Sequence, residues 1–372
     1  MATISNTPRP GYVWDSTDNV WYPIGVGAHQ HTNAADTPAV MPYSTYAAAG
    51  KNKIINGDFS IWQRGTTTTF TVPTSGGFVS DRWQYLCDDG GSGSSSKTIS
   101  QQAFTPGTAP VSGYEGQYFI RVNSTVASST ETYSFLTQLI EDVRTLAGQT
   151  ATFSFWAKAA SAVTLPSFSI RQSFGSGGSA VVDTTIATNI ALTTSWQRFT
   201  YTFTVPSVSG KTIGAGSFLR VGIFNPLRST FTTDFWGVQL EAGSVATAFQ
   251  TATGNPASEL AACQRYYYRS TPNLAYGTHP AQGQAQTTTA IAYNVNLPQS
   301  MRVTPTSMEF GNLAAFDSAT VLALSSITID VTQSSPKTAW IGGTVSGATQ
   351  FRSYFLLNNN NSAGFIGISA EL

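Results

Sequence analysis

Few side chains in this sequence can do chemistry, so the ones that cluster stand out. Charged residues make up 10% of the chain, yet Asp81, Arg82 and Trp83 are consecutive within the apolar stretch GGFVSDRWQYL at residues 76–86. Catalysis by Asp81 would need a partner, because glycoside hydrolysis uses paired acids and acyl transfer an activated nucleophile. Neither is signposted: the nearest acids, Asp88 and Asp89, lie in a Gly/Ser loop, and the histidines are His29, His31 and His279. A buried charge persists when it is paired and hydrogen-bonded. The stretch therefore reads as a structural pin, with Trp83 in the core and Asp81 and Arg82 pairing or binding backbone at a strand entrance. Ligand contact and catalysis are the competing readings.

The second chemistry open to this composition is sugar binding. A pyranose offers an apolar face and a ring of hydroxyls, so a site needs exposed aromatics backed by hydrogen-bonding side chains. Trp62, Trp156, Trp196, Tyr276 and Tyr354 are the candidate contacts, with the run Tyr266 to Tyr268 beside them. Alternation alone does not say which of these face solvent.

The elements that would position such residues are strands. The chain of 372 residues carries 22 Phe, 15 Tyr, 8 Trp and 33 Gly with little Glu or Lys, a composition of strand and turn formers. Period-two alternation sets Phe153, Phe155 and Ala157 against Thr152, Ser154 and Trp156, and Phe199, Tyr201 and Phe203 against Arg198, Thr200 and Thr202. Recurrent Gly/Ser turns between such runs predict an all-β protein built on a two-sheet antiparallel sandwich. Nineteen basic residues balance nineteen acidic ones, so no global field steers the chain to nucleic acid or an anionic membrane. No secretory signal or apolar span is recognisable, and Cys87 and Cys263 read as small buried apolar residues.

Four segments follow. Residues 1–50 hold PRPGYVWDSTDNVWYPIG, read as a β-hairpin too small for its own core, and then a linker. Residues 51–253 form the main sandwich, in which LTQLIEDVRTLAGQ has Leu136, Leu139, Ile140 and Val143 at helix-like spacing and reads as a short helix or an ordered loop. Residues 254–270 hold a connecting helix, with Ser258 as its cap after Pro256 and Leu260, Cys263 and Tyr267 as its apolar stripe. Residues 271–372 read as a smaller C-terminal β-sandwich.

The ordered series NKIINGDFSIWQRGT, SDRWQY, FSFWAKA, TTSWQRFTYTFTVP, FWGVQLEAGSVATAF and ELAACQRYYYR resembles the sandwich module of tail fibres and other virion structural proteins of tailed bacteriophages. The resemblance covers roughly residues 52–270 and continues more weakly through LPQSMRVTPT and ISAEL. That module is similar to carbohydrate-binding jelly rolls, in which a calcium ion often sits where the first and last strands meet. Asp58 in INGDF and Glu241 in GVQLE occupy the matching places; the plainer reading has Asp58 capping a turn and Glu241 pairing with Arg64 or facing water.

The resemblance implies a non-enzymatic virion component, synthesised in the host cytoplasm, that requires no cofactor. It would attach through Pro10, Tyr12, Trp14, Trp21, Tyr22 and Pro23 to other virion proteins and present its sandwiches for adhesion to a host-surface glycan. A homotrimer would place His29 and His31 of three chains around one axis, a possible transition-metal site, although HxH is also a common polar linker sequence. With the N-terminus docked, the C-terminal part with Tyr276, His279, Phe351 and Tyr354 becomes the recognition tip. The alternatives are a capsid decoration protein without receptor binding and a polysaccharide-degrading tail spike.

Overall fold

The computed structural model describes residues 12–15, 20–23 and 50–372, the last span without 72–75, 92–93 and 112–113. The chain divides into two units, Met1–Tyr46 and Ala47–Leu372. In the first, β1 (Tyr12–Asp15) pairs antiparallel with β2 (Val20–Pro23), placing Trp14 opposite Trp21 and Val13 opposite Tyr22. This is the expected hairpin. Pro10, His29 and His31 lie outside the described residues, and with them the trimer-axis metal site.

In the second unit, twelve strands build the sandwich: β3 (Thr67–Thr71), β4 (Gly77–Phe78), β5 (Trp83–Asp88), β6 (Ser96–Ala103), β7 (Tyr118–Val126), β8 (Tyr133–Glu141), β9 (Thr150–Ala159), β10 (Val163–Ser173), β11 (Val182–Leu192), β12 (Gln197–Thr204), β13 (Phe218–Phe224) and β14 (Phe231–Ala242). Sheet I has the order β11-β10-β13-β8-β5-β4 and sheet II the order β12-β9-β14-β7-β6-β3. From β7 onward the chain changes sheet at every connection except the β10–β11 hairpin, and β7 pairs with β14. That is the strand order of a jelly roll, extended at one edge of each sheet by β3–β6.

The core lies between the sheets, with the Phe153 ring of sheet II stacked on the Phe168 ring of sheet I at 4.1 Å between centroids. The alternation in β12 holds, but in β9 Thr152 and Ser154 are buried as well. Their side chains meet the segment after β14 and β12: Thr152 donates to the Gly243 carbonyl at 2.7 Å, and Arg198 donates to Ser154 at 3.1 Å.

Residues 136–141 lie in strand β8 rather than in a helix, and 143–148 follow as turns. The helix-like spacing of Leu136, Leu139 and Ile140 arises because β8 sits between β13 and β5 and is buried on both faces, so apolar residues need not alternate.

The connecting helix, α1 (Pro256–Gln264), is capped by Asn255, whose Oδ1 accepts from the Ser258 amide at 2.9 Å. Ser258 is therefore a recipient of the cap rather than the cap itself. The helix buries Glu259 and Cys263, leaves Leu260 exposed, and ends before Tyr267, which starts the next strand.

The remaining strands are β15 (Tyr267–Ser270), β16 (Thr278–Ala285), β17 (Ala290–Asn296), β18 (Ser307–Gly311), β19 (Leu313–Phe316), β20 (Val321–Ala323), β21 (Ser326–Ser335), β22 (Thr338–Thr344), β23 (Ser353–Asn358) and β24 (Phe365–Ser369). They form sheet III, β15-β24-β18, and sheet IV, β20-β19-β23-β16-β17-β22-β21, around a second core that includes Tyr293, Ile341, Leu356 and Ile368. The protein is all-β, with α1 the one α-helix among the described residues, and no helix there is long and apolar enough to cross a membrane.

Candidate functional site

The Asp81-Arg82-Trp83 group sits where the sandwich meets the C-terminal sheets. Ser80 to Trp83 form a turn closed by the Trp83 amide donating to the Ser80 carbonyl at 2.9 Å, so only Trp83 belongs to a strand. Arg82 takes φ 68°, a left-handed position that usually favours glycine. Its guanidinium is ion-paired with Glu371, donates to the Leu139 carbonyl at 2.6 Å and lies 3.5 Å over the Tyr266 ring. Asp81 accepts from the Gln63 amide at 2.6 Å and from the Gln63 side chain. Burial pushes its carboxyl up to about 6, opposed by those two bonds. Trp83 is fully buried, with Nε1 donating to the Asn56 carbonyl at 3.0 Å. All three side chains are committed to intramolecular partners.

The Asn-Gly-Asp segment supplies a hub that sequence reasoning missed. Asn56, fully buried at φ 57°, donates from Nδ2 to Ser80 Oγ at 2.7 Å and to the Ile61 carbonyl at 2.9 Å. Its amide donates to Glu259 Oε1 of α1 at 2.6 Å. No periodicity announces such a residue; a buried amide reveals itself only through partners distant in sequence.

Asp58 and Glu241 do not form the expected calcium pair. Glu241 is fully buried and its oxygens accept from Gln239 Nε2 at 2.7 Å, the Thr247 amide at 2.9 Å and Thr247 Oγ1 at 2.8 Å, with Lys51 at 3.4 Å. The pairing partner is therefore Lys51 rather than Arg64, which binds Glu371 at 3.4 Å and Glu309 at 3.6 Å. Asp58 instead opens, with Glu115 and Glu259, onto a separate cavity of about 260 Å³. Burial and the Glu259 charge raise its carboxyl above the usual range, and it accepts from Ser60 Oγ at 3.1 Å. Among the described residues no group of three or more His, Cys, Asp or Glu is arranged to hold a metal ion.

Of the proposed sugar contacts, Tyr354 is a core residue, 2% exposed, whose hydroxyl accepts from the Thr349 amide at 2.9 Å. It falls on the inward face of β23, where alternation in a half-buried strand places every second residue. His279 is likewise buried, and both its ring nitrogens are committed within the protein, to Ser270 at 3.1 Å and Asn358 at 2.8 Å. Trp62 packs on the sandwich core with Nε1 donating to the Phe59 carbonyl at 2.7 Å. Tyr276 is exposed.

Trp156 and Trp196 are brought together on the outer face of sheet II. In register, Trp156 lies opposite Arg198 on one side and Trp236 on the other. Trp236 is fully buried, under Tyr114 at 5.5 Å and Phe249 at 5.0 Å between centroids. Phe104 and Phe119 complete this aromatic cluster, and the half-buried rings of Trp156 and Trp196 form its rim. Trp196 stands edge-on to Phe119 at 5.4 Å, with Lys158 Nζ 5.3 Å from the Trp196 ring.

The next row of the same face is Lys158, Asp234 and Arg121. Arg121 holds Asp234 through two bonds, Nε to Oδ1 at 2.7 Å and Nη2 to Oδ2 at 2.9 Å, and Lys158 lies 3.7 Å from the same carboxylate. The bond to Asp234 holds the Arg121 guanidinium above its ordinary range despite partial burial. Asp234 is therefore fixed between two cations. What the platform presents is two apolar ring surfaces beside fixed N–H donors, the complement of a pyranose face and its hydroxyls.

No family model matches the chain, and no curated protein matches it. Solved structures to which the chain is similar include the enzymatically active domain of tailspike protein 4 of bacteriophage CBA120, at 14% identity and TM-score 0.32 over 52% of this chain and 22% of that one. The chain thus spans about a fifth of that tailspike domain's length. Others are the CBM22-1 xylan-binding domain of Paenibacillus barcinonensis Xyn10C, at 9% identity and TM-score 0.29 over 48% of this chain and 95% of that one, and a Stig cyclase from Fischerella, at 15% identity and TM-score 0.33 over 54% and 100%.

Proposed function

We propose that this protein is a non-enzymatic carbohydrate-adhesion component of a tailed-phage particle, attached through its N-terminal hairpin and binding glycan on the outer face of sheet II. The observation that carries the reading is the rim formed by Trp156 and Trp196, half-buried rings held by a rigid aromatic cluster next to Lys158 and Arg121. A rim locked in place loses little side-chain entropy on binding, which favours a weak, repeatable contact. Assembly as a homotrimer multiplies such contacts through effective concentration. The phage assignment draws on the motif series from INGDF to GVQLE and on the small hairpin, which is suited to docking on a larger surface.

Two experiments test this. Replacing Trp156 and Trp196 by alanine should sharply weaken binding to host cells while thermal unfolding stays within a few degrees of wild type; undiminished cell binding would sink the platform. Deleting residues 1–50 should abolish incorporation into particles, and continued incorporation would remove the hairpin from the anchoring role.

A further inference from the structure

The outer face of sheet IV carries a row of exposed and half-buried aromatic and amide side chains. Register places Phe316 opposite Phe355, Phe355 opposite Gln282, Gln282 opposite Asn294, and Asn294 opposite Trp340, one residue on each of five adjacent strands. Directly opposed residues share a face, so aromatic, aromatic, amide, amide and aromatic stand side by side. The neighbouring row includes Ala292 opposite Gly342, whose small size keeps the floor low beside the amides. The result is a groove of about 590 Å³ lined by Gln282, Asn294, Asn296 and Phe355, continuing into one of about 280 Å³ that shares Gln282 and Asn294 and ends on Trp340.

The chemistry of this groove is specific. Phe355 is 44% exposed, an unusual position for a phenyl ring. Among the described residues the side-chain amides of Gln282 and Asn294 have no hydrogen-bond partner, so each presents both a donor and an acceptor. Among the described residues no Asp, Glu, Lys or Arg lines either part of the groove, and its one titratable lining residue, His279, is buried, which disfavours its charged form. Asp330, at the end of the Trp340 row, has its carboxylate occupied by Thr332 at 2.6 Å and Gln333 at 2.9 Å. Phe355 and Trp340 are three strand spacings apart, roughly 14 Å.

We infer that this groove is a second binding site, separate from the sheet II platform, for a chain of neutral sugars. The two rings stack on pyranose faces near its ends, and the amides bridge hydroxyls of the unit between them. A polyanion would find no cation here and an apolar peptide would leave the two amides unpaired, each a cost that a neutral polyhydroxylated chain avoids. The roughly 14 Å span selects a short chain over a monosaccharide.

Affinity electrophoresis of the full chain through gels containing arabinoxylan, galactomannan or mixed-linkage β-glucan, with polygalacturonate as the charged comparison, tests this. F355A and W340A should each weaken retardation by a neutral gel about tenfold, the size expected for an aromatic anchor. Q282A/N294A should weaken it in the same gel, and all three variants should keep the wild-type near-UV circular dichroism. Retardation abolished by W156A/W196A but unchanged in F355A and W340A overturns the second site and leaves the platform standing. Retardation only by polygalacturonate overturns its neutral specificity, and retardation by none of the gels overturns both sites.

Discussion

Arg82 and Glu371 form an ion pair that joins a turn of the sandwich to the last residues of the chain, with side chains 2% and 6% exposed. The pair is supported on every side. Arg64 reaches the other oxygen of Glu371 at 3.4 Å while its guanidinium lies 3.4 Å over Tyr267, and Gln63 links Asp81 to the Tyr267 carbonyl at 2.8 Å. A turn, the connecting segment and the C-terminus thus converge on one buried polar network, which fixes the C-terminal sheets on the sandwich.

Breaking this pair should be costly. Removing one partner of a buried ion pair leaves the other uncompensated, at about 3–5 kcal/mol. Arg82→Ala and Glu371→Ala should each lower stability by that order in urea unfolding, and the double variant should cost clearly less than the sum. Strict additivity would mean the two side chains act independently.

Asp81 sets a pH dependence of unusual sign. Its folded carboxyl sits at about 6 against an ordinary 3.8, because burial outweighs the Gln63 bonds. The folded protein therefore holds the proton more tightly than the unfolded chain, and unfolding releases protons between these values. By linkage, the contribution of Asp81 is greatest below pH 4, falls as pH rises and is flat above about 7. Compared with Asp81→Asn, wild type should lose on the order of 2–3 kcal/mol between pH 4 and pH 7. A difference that stays constant over that window would show the group ionised in both states.

The all-β class and the inward faces of β9 and β12 were legible because alternation reports burial directly. Helical spacing in residues 136–143 misled because a strand flanked on both sides and buried on both faces loses its period. The indoles of Trp156 and Trp196 could be nominated, but their meeting depends on Trp236, on a strand distant in sequence, and on a covering residue, Tyr114, in a loop with no pattern. The Gln282 and Asn294 row was invisible for a related reason: one residue from each of several strands means nothing until the register is known.

A second buried pair escaped sequence reasoning altogether. Lys97 and Glu131 are 0% and 2% exposed and bonded at 2.7 Å, with Ser124 accepting from Lys97 at 2.7 Å and the Arg228 amide donating to Glu131 at 2.7 Å. Lys97→Met should destabilise by about 3–5 kcal/mol, since it strands the carboxylate, and adding Glu131→Leu should recover part of that loss. Thermal and urea unfolding of the two single variants and the double variant read this out. No recovery in the double variant would mean the contacts to Ser124 and the Arg228 amide, rather than the pair, carry the stability.

The sheet II platform should separate binding from stability at single residues. Trp236 is 0% exposed beneath the cluster, so Trp236→Ala should cost about 3–5 kcal/mol through the cavity it leaves. Trp196→Ala, at the half-buried rim, should cost much less stability and still weaken glycan retardation. Gly237 joins the two effects: it holds φ 63° in the β14 bulge, and a Cβ there would stand 3.0 Å from Trp156 Cδ1. Gly237→Ala should therefore cost about 1–3 kcal/mol of backbone strain and also push the Trp156 ring out of line, weakening binding although no contacting side chain is removed. If Gly237→Ala lowers the unfolding midpoint while gel retardation keeps its wild-type value, the orientation of Trp156 has no part in recognition and the binding surface contracts to Trp196 and its charged neighbours.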